Sequence, residues 1–238
     1  MEKRDNKEGF VRRLFDAISP RYDLFNRLAS LGLDQRWRRQ TIASLGLLPG
    51  MRVLDLASGT GDLSRLAAHE LVPLGMVAGC DLSHSMLSFG KRKLAKSPVG
   101  YWHVEFAQGK AAALPFRDGS FDAATIAFGM RNVSDLAAAF QELHRVVKSD
   151  GRVGFLEFGR PKGFFLRMGH RLWLSTGVPV FGILTTGKAW PFLYLRRSIG
   201  EFLAREEVVK SLERAGFSKA QAQPMDGGIV YLYTAVKS

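Results

Sequence analysis

The alternation that begins at Arg52 constrains this chain more than any other feature. Short β-rich runs at 52–56, 76–80, 101–107, 121–127 and 152–158 are separated by amphipathic stretches at 63–71, 85–95 and 136–147. Strands alternating with helical stretches at this spacing predict βαβ units and a mostly parallel sheet. Runs such as 123–128 are almost continuously apolar, so both faces of that sheet must be covered. Right-handed crossovers then give a doubly wound α/β sandwich with helices on both faces.

The rest of the chain is placed around that core. Residues 1–9, MEKRDNKEG, read as a flexible charged tail with no apolar stretch of the signal-peptide kind. Residues 10–48 form a helical cap: apolar positions recur at helical spacing over 10–18, Pro20 stops that helix, and a second runs over 35–45. After Phe158 the alternation lapses, and 160–204 reads as a helical lid inserted over the site. A helix at 205–215, ended by Gly216, and a terminal strand at 229–236 complete a single domain over 10–238.

Cys80 is the sole cysteine, which excludes an intrachain disulfide and a cysteine-built zinc site and points to a reducing, cytoplasmic setting. The five histidines show no metal-ligand spacing, and no metal is expected. The longest uncharged run, the 16 residues between Arg171 and Lys188, is broken by glycines and Pro179 and is too short to span a bilayer. The net charge is +12, and the stretch from Arg160 to Arg205 carries eight basic residues against one acid, Glu201. Its aromatics include Phe164, Phe165, Trp173, Trp190 and Tyr194. Basic and aromatic residues together suit an anionic membrane surface, so the protein is expected to be peripherally membrane-associated. The same segment could instead form a homodimer interface or a plain lid.

The strongest motif is Val53-Leu54-Asp55-Leu56-Ala57-Ser58-Gly59-Thr60-Gly61-Asp62, a buried strand that ends in a glycine turn and opens a helix. Such a turn lets a ligand approach the backbone, and the helix start offers free N–H groups. The third glycine of a dinucleotide fingerprint is Ser64 here, which argues against a nicotinamide cofactor. Asp81 ends the second run, 20 residues after Gly61, where a carboxylate can accept from both ribose hydroxyls or can cap the helix that follows. Asp55 within the strand, followed by Gly-Thr-Gly, resembles the S-adenosylmethionine motif of class I methyltransferases.

Over the whole chain the sequence resembles the quinone-biosynthesis C-methyltransferases that make ubiquinone and menaquinone. The blocks are Tyr22-Asp23-Leu24-Phe25-Asn26 with Ser30 and Trp37; the cofactor motif; Leu114-Pro115-Phe116, Phe121-Asp122 and Phe128-Gly129-Met130-Arg131-Asn132-Val133; and Arg145-Val146-Val147-Lys148 with Gly151, Arg152 and Leu156-Glu157. A weaker tail match covers Tyr194-Leu195, Ser198-Ile199 and Ala215-Gly216-Phe217. Departures from the family pattern are Asp34, Lys110, Ala112, Ser149-Asp150, Gly159 and Tyr233.

The resemblance implies C-methylation of a polyprenyl hydroquinone, demethylmenaquinol or a benzoquinol, with S-adenosylmethionine as donor. It places Asp55, Ala57, Gly59, Thr60, Gly61, Asp81, Met86, Gly109 and Lys110 at the cofactor. It places Arg131, Asn132, Tyr22 and Asp62 around the transferring methyl. Arg131 suits electrostatic activation of a phenolic oxygen, because a guanidinium stays protonated and is a poor base. The lipophilic tail of such a substrate suits the apolar insertion. Nucleic acid is not expected: residues 128–132 lack the Pro-Pro-aromatic motif of amino-methylating enzymes, and Cys80 lies inside a strand. A non-catalytic scaffold for quinone synthesis is the alternative from another class, prompted by Lys110.

Overall fold

The computed structural model describes residues 2–97 and 103–238. Three helices open the chain: α1 (Glu2–Ile18), α2 (Tyr22–Ala29) and α3 (Leu33–Leu45). The first starts earlier than its apolar spacing indicates, so Lys7, Glu8 and Gly9, expected in a flexible tail, are helical. Lys7 Nζ donates to the Arg131 and Val133 carbonyls, at 3.3 and 2.9 Å, and these tertiary bonds order what composition leaves loose. Pro20 ends α1 as expected, but it also starts a 3-10 turn, Ser19–Arg21, that leads directly into α2.

The alternating region gives β1 (Arg52–Leu56), α4 (Asp62–Glu70), β2 (Met76–Asp81), α5 (His84–Ala95), β3 (Val104–Gln108), β4 (Phe121–Ala127), α6 (Leu136–Val146) and β5 (Val147–Phe158). Tyr101 and Trp102, expected to begin the third strand, lie outside the described residues. The insertion forms α7 (Phe164–Leu172), α8 (Val178–Thr186) and α9 (Trp190–Glu201). Then follow α10 (Arg205–Arg214), β6 (Phe217–Met225) and β7 (Val230–Lys237). The strand β6 has no apolar run to announce it: Ser218 to Pro224 is polar and half exposed, as a sheet edge tolerates.

All seven strands form one sheet in the order β3-β2-β1-β4-β5-β7-β6. β7 runs antiparallel to both β5 and β6, and the other pairings are parallel. Side chains alternate across the sheet. Val53 packs with Ile42 and Leu45 of α3 and with Leu63 and Ala67 of α4. Leu54 and Leu56 face the other way, toward Phe140 and Leu143 of α6 and Val208 and Leu212 of α10. The chain order reverses between β1 and β4, so a crevice opens at their carboxyl ends, where ligands bind in such sheets.

The insertion is seated on the cap. Trp173 Nε1 donates to the Ala29 carbonyl at 3.0 Å, and the Phe25 and Phe192 rings lie 4.1 Å apart between centroids.

Candidate active site

Two cavities meet at the carboxyl end of β1 and β4. The first is the cleft over the glycine turn. Ala57 and Phe128, the residues that follow β1 and β4, both have positive φ, 54° and 59°. That region is strained for a side chain and is concentrated at functional sites. Gly59 also lies there, at φ 56°, and a Cβ on it would meet only Tyr22 Cε1, at 3.9 Å, so it would project into the cleft. The turn is thus kept clear for a ligand beside its backbone.

Asp81 organises this cleft. Its Oδ2 accepts from the Gly59 N–H at 2.9 Å and its Oδ1 from the Ser83 N–H at 2.8 Å. Burial raises its pKa, against the pull of those backbone N–H groups. The helix cap is Ser83, whose hydroxyl accepts from Met86 N, so Asp81 is not itself the cap. Asp81, Met86, Gly109 and Lys110 line the cleft with Ala57 and Gly59, a set of carboxylate, backbone and thioether that fits a sulfonium nucleoside. Helix α1 roofs the cleft through Glu8, Val11, Arg12 and Phe15, and Glu8 pairs with Lys110 at 2.8 Å.

Asp55, Thr60, Gly61 and Asp62 stand behind the wall. Asp55 Oδ2 accepts from the Ser64 hydroxyl while Oδ1 has no hydrogen-bond partner among the described residues, and burial pushes its pKa up to about 7. Gly61, at φ 79°, packs so closely on Phe106 that a Cβ would come within 2.9 Å of the ring. Thr60 donates to Asp23, and Lys93 pairs with both Asp23 and Asp62, at 2.7 and 2.8 Å. Burial opposes ionisation of Asp62, but Arg38 and Lys93 hold its pKa below the usual carboxylate range. These four residues therefore brace the turn and the start of α2 and do not border either cavity.

The second cavity, of about 360 Å³, lies between the cap and the insertion. Its walls are mostly apolar, with Trp37, Phe158, Trp173, Phe192 and Leu195 among them. Its polar members are few: Asn26, Ser30, Asp34, Arg38, Arg131, Asn132 and His170, with the hydroxyls of Tyr22 and Tyr194. Arg131 Nη1 donates to Glu157 Oε1 at 2.9 Å and to the Phe128 carbonyl, and its backbone N–H donates to Glu157 Oε2 at 3.1 Å. Tyr194 of α9 donates to Asn132 Oδ1 at 3.2 Å. Burial lowers the His170 pKa, which favours its neutral form.

Phe15, Tyr22, Phe128 and Asn132 line both cavities and are the partition between them. Of the residues expected around the methyl group, Tyr22 and Asn132 stand at that partition, Arg131 faces the second cavity, and Asp62 is set apart. Sequence reasoning missed Phe128, the α1 roof and Arg38. A signal for Arg38 exists: Asp34, Arg38, Ile42 and Leu45 share one buried face of α3 at helical spacing, with charges where apolar residues belong.

The ubiE/COQ5 methyltransferase family model matches residues 1–237. The "Ubiquinone/menaquinone biosynthesis C-methyltransferase UbiE" of Shewanella woodyi is 39% identical over 234 residues, 98% of this chain and 92% of that protein. The "Demethylmenaquinone methyltransferase" of Desulfitobacterium hafniense is 36% identical over 232 residues, covering 98% and 91%. Among solved structures, a SAM dependent methyltransferase from Aquifex aeolicus superposes with a TM-score of 0.65 at 19% identity, over 87% of this chain and 92% of that one, a likeness of fold. The chain belongs to the ubiE/COQ5 methyltransferase family and is a methyltransferase whose cofactor is S-adenosylmethionine.

Proposed function

We propose that the protein methylates a ring carbon of a polyprenyl hydroquinone, converting demethylmenaquinol to menaquinol, with a benzoquinol of ubiquinone synthesis as the alternative. The observation that carries this reading is the pair of cavities. A cofactor cleft and a mostly apolar cavity share the partition of Phe15, Tyr22, Phe128 and Asn132. The naphthoquinol is put first because the Desulfitobacterium relative bears that substrate in its name.

When bound, S-adenosylmethionine would supply an activated methyl to the ring carbon, the bond to sulfur breaking with its electron pair. The chain's own residues hold that carbon in line and exclude water. The phenolic proton leaves for water; after methyl transfer the ring hydrogen leaves as a proton and the oxygen takes one back, so one proton is released per turnover. Arg131 stabilises the oxygen as it becomes negative, because its guanidinium is buried, permanently charged and held in place by Glu157. Asn132, fixed by Tyr194, and the Tyr22 hydroxyl orient the ring. Asp81 and the backbone around Gly59 and Gly109, which line the cleft, would hold the cofactor.

The tail and the membrane are addressed by the insertion. No helix among the described residues is long and apolar enough to cross a membrane. Yet α7 buries none of its residues, and Phe165 is 82% and Leu184 72% exposed. Leu31, Phe165 and Leu166 wall the cavity and are also exposed, so it opens on this apolar surface, where Arg167 and Arg171 stand. The arrangement supports shallow insertion into an anionic leaflet, with the prenyl chain entering from the lipid.

Complementation tests the reading. A bacterium lacking its own quinone C-methyltransferase and expressing this chain is expected to recover methylated menaquinone by mass spectrometry of its lipids. Recovery of ubiquinone alone would select the benzoquinol, and recovery of neither would overturn the proposal.

A further inference from the structure

Arg38 stands on the inner face of α3, 7% exposed, on the wall of the second cavity. A guanidinium offers five N–H donors. The buried Nε of Arg38 meets no acceptor among the described residues, and Asp34 Oδ2 lies 3.6 Å from it, at ion-pair rather than hydrogen-bond distance. That carboxylate is already engaged: Oδ1 accepts from the Ser30 hydroxyl and Oδ2 from Gln35 Nε2. Buried donors left unmade are rare and costly, and a functional role is one of the explanations for them.

Arg131 repeats the pattern. It lines the same cavity, its Nε is likewise unpartnered, and Phe128 connects the two residues. The Phe128 carbonyl accepts from Arg131, and the Arg38 guanidinium lies 5.8 Å from the Phe128 ring centre. At the partition, burial raises the Tyr22 pKa overall, and its bond with Asn26 and the fields of Arg38 and Arg131 offset only part of that rise.

We propose that Arg38 is a second cationic substrate-binding residue, whose guanidinium donates to a hydroquinone oxygen as that oxygen takes on charge beside Arg131. The proposal rests on the quinol reading above and deepens it. A hydroquinone carries two oxygens, and one guanidinium with an unbonded Nε for each would fix which ring carbon faces the cofactor cleft. Asp34 pairs with Arg38 at 3.6 Å but leaves its Nε without a hydrogen bond among the described residues, and the other charged and titratable groups around it have partners of their own. On α3, Asp34 is held by Ser30 and Gln35; on α2, Asp23 is held by Lys93 and Thr60. Behind the turn, Asp55 is bonded to Ser64 and Asp62 to Lys93; on β5, Glu157 is bonded to Arg131; on α7, His170 is favoured neutral by burial.

The test uses 2-naphthol, whose phenol and phenolate differ in absorbance, bound to the full chain saturated with S-adenosylhomocysteine. Arg38→Gln is expected to raise the apparent pKa of bound naphthol by about one pH unit relative to the wild-type protein, a tenfold change in ionisation. The ascending limb of kcat/KM against pH, measured with a short-tailed hydroquinone, should move the same way, while S-adenosylhomocysteine affinity stays at the wild-type value. Arg38→Lys, which keeps the charge without the planar fork, should recover most of the naphthol shift and little of kcat/KM. A folded Arg38→Gln with unmoved naphthol pKa and pH profile overturns the proposal, as does a lysine variant that recovers nothing. Wild-type protein that methylates no hydroquinone would instead overturn the quinol reading.

Discussion

Arg131 Nη1 lies 2.9 Å from Glu157 Oε1, and both side chains are buried, the carboxylate completely. Removing one partner of such a pair strands the other. Arg131→Ala is therefore expected to lose turnover and also about 3–5 kcal/mol of stability. Arg131→Met combined with Glu157→Gln should regain the stability, because it leaves no unpaired charge, and should remain inactive. Denaturant titration beside kcat separates the two effects. An active double variant would remove Arg131 from the chemistry.

The cofactor contact at Asp81 is equally specific. Asp81→Ala should weaken S-adenosylhomocysteine binding by roughly the 1.5–3 kcal/mol of a charged hydrogen bond, read by calorimetry. It also frees the Gly59 and Ser83 N–H groups, so the heat of binding should fall as well. Unchanged affinity would mean that Asp81 serves the turn and not the ligand.

The centre of the sheet was legible in the sequence because β1 and β4 are buried on both faces and therefore mostly apolar, and both fall at the expected residues. The edge strand β6 was not, since exposure leaves it free to be polar. At the site, the glycine turn announced the cleft; of the four residues that the resemblance places around the transferring methyl, Tyr22, Arg131 and Asn132 line the second cavity and Asp62 does not. What the sequence could not show was the division of labour among neighbours. Asp62 follows Gly61 directly, yet a helix start turns it toward Lys93 and away from the cavities. The α1 roof was hidden because its charged first turns look like a tail until Lys7 meets the backbone after β4.

Asp55 makes stability depend on pH. Burial raises its folded pKa to about 7, far above an ordinary carboxylate, with Ser64 and Arg38 offsetting only part. Between about 4 and 7 the folded protein keeps a proton that the unfolded chain has lost. Its contribution therefore falls as pH rises through that window, by at most about 1.4 kcal/mol per pH unit, and the penalty is complete above it. Asp55→Asn should abolish this slope and gain relative stability at pH 8. Urea titrations of both proteins across the window check it, and parallel curves would contradict it.

Membrane docking is expected through α7 and α8. Each exposed basic residue near an anionic leaflet contributes about 1 kcal/mol, and salt should weaken the sum. Lys188 is spent elsewhere: its Nζ donates to the Ala17 carbonyl at 3.0 Å. The informative variant is Arg167→Glu with Arg171→Glu and Phe165→Ser. It should release the protein from anionic vesicles while activity on a short-tailed soluble hydroquinone persists. Co-sedimentation indifferent to lipid charge would assign this surface to a lid or to contact between two copies.

The most direct measurement is methyl transfer by the purified chain, with labelled S-adenosylmethionine and a reduced short-tailed demethylmenaquinol under anaerobic conditions. The account predicts one labelled methyl on the ring carbon of the product, one S-adenosylhomocysteine per methyl, and loss of transfer in Arg131→Met/Glu157→Gln. Protein that binds S-adenosylhomocysteine normally yet transfers no methyl to this naphthoquinol or to a benzoquinol would contradict it.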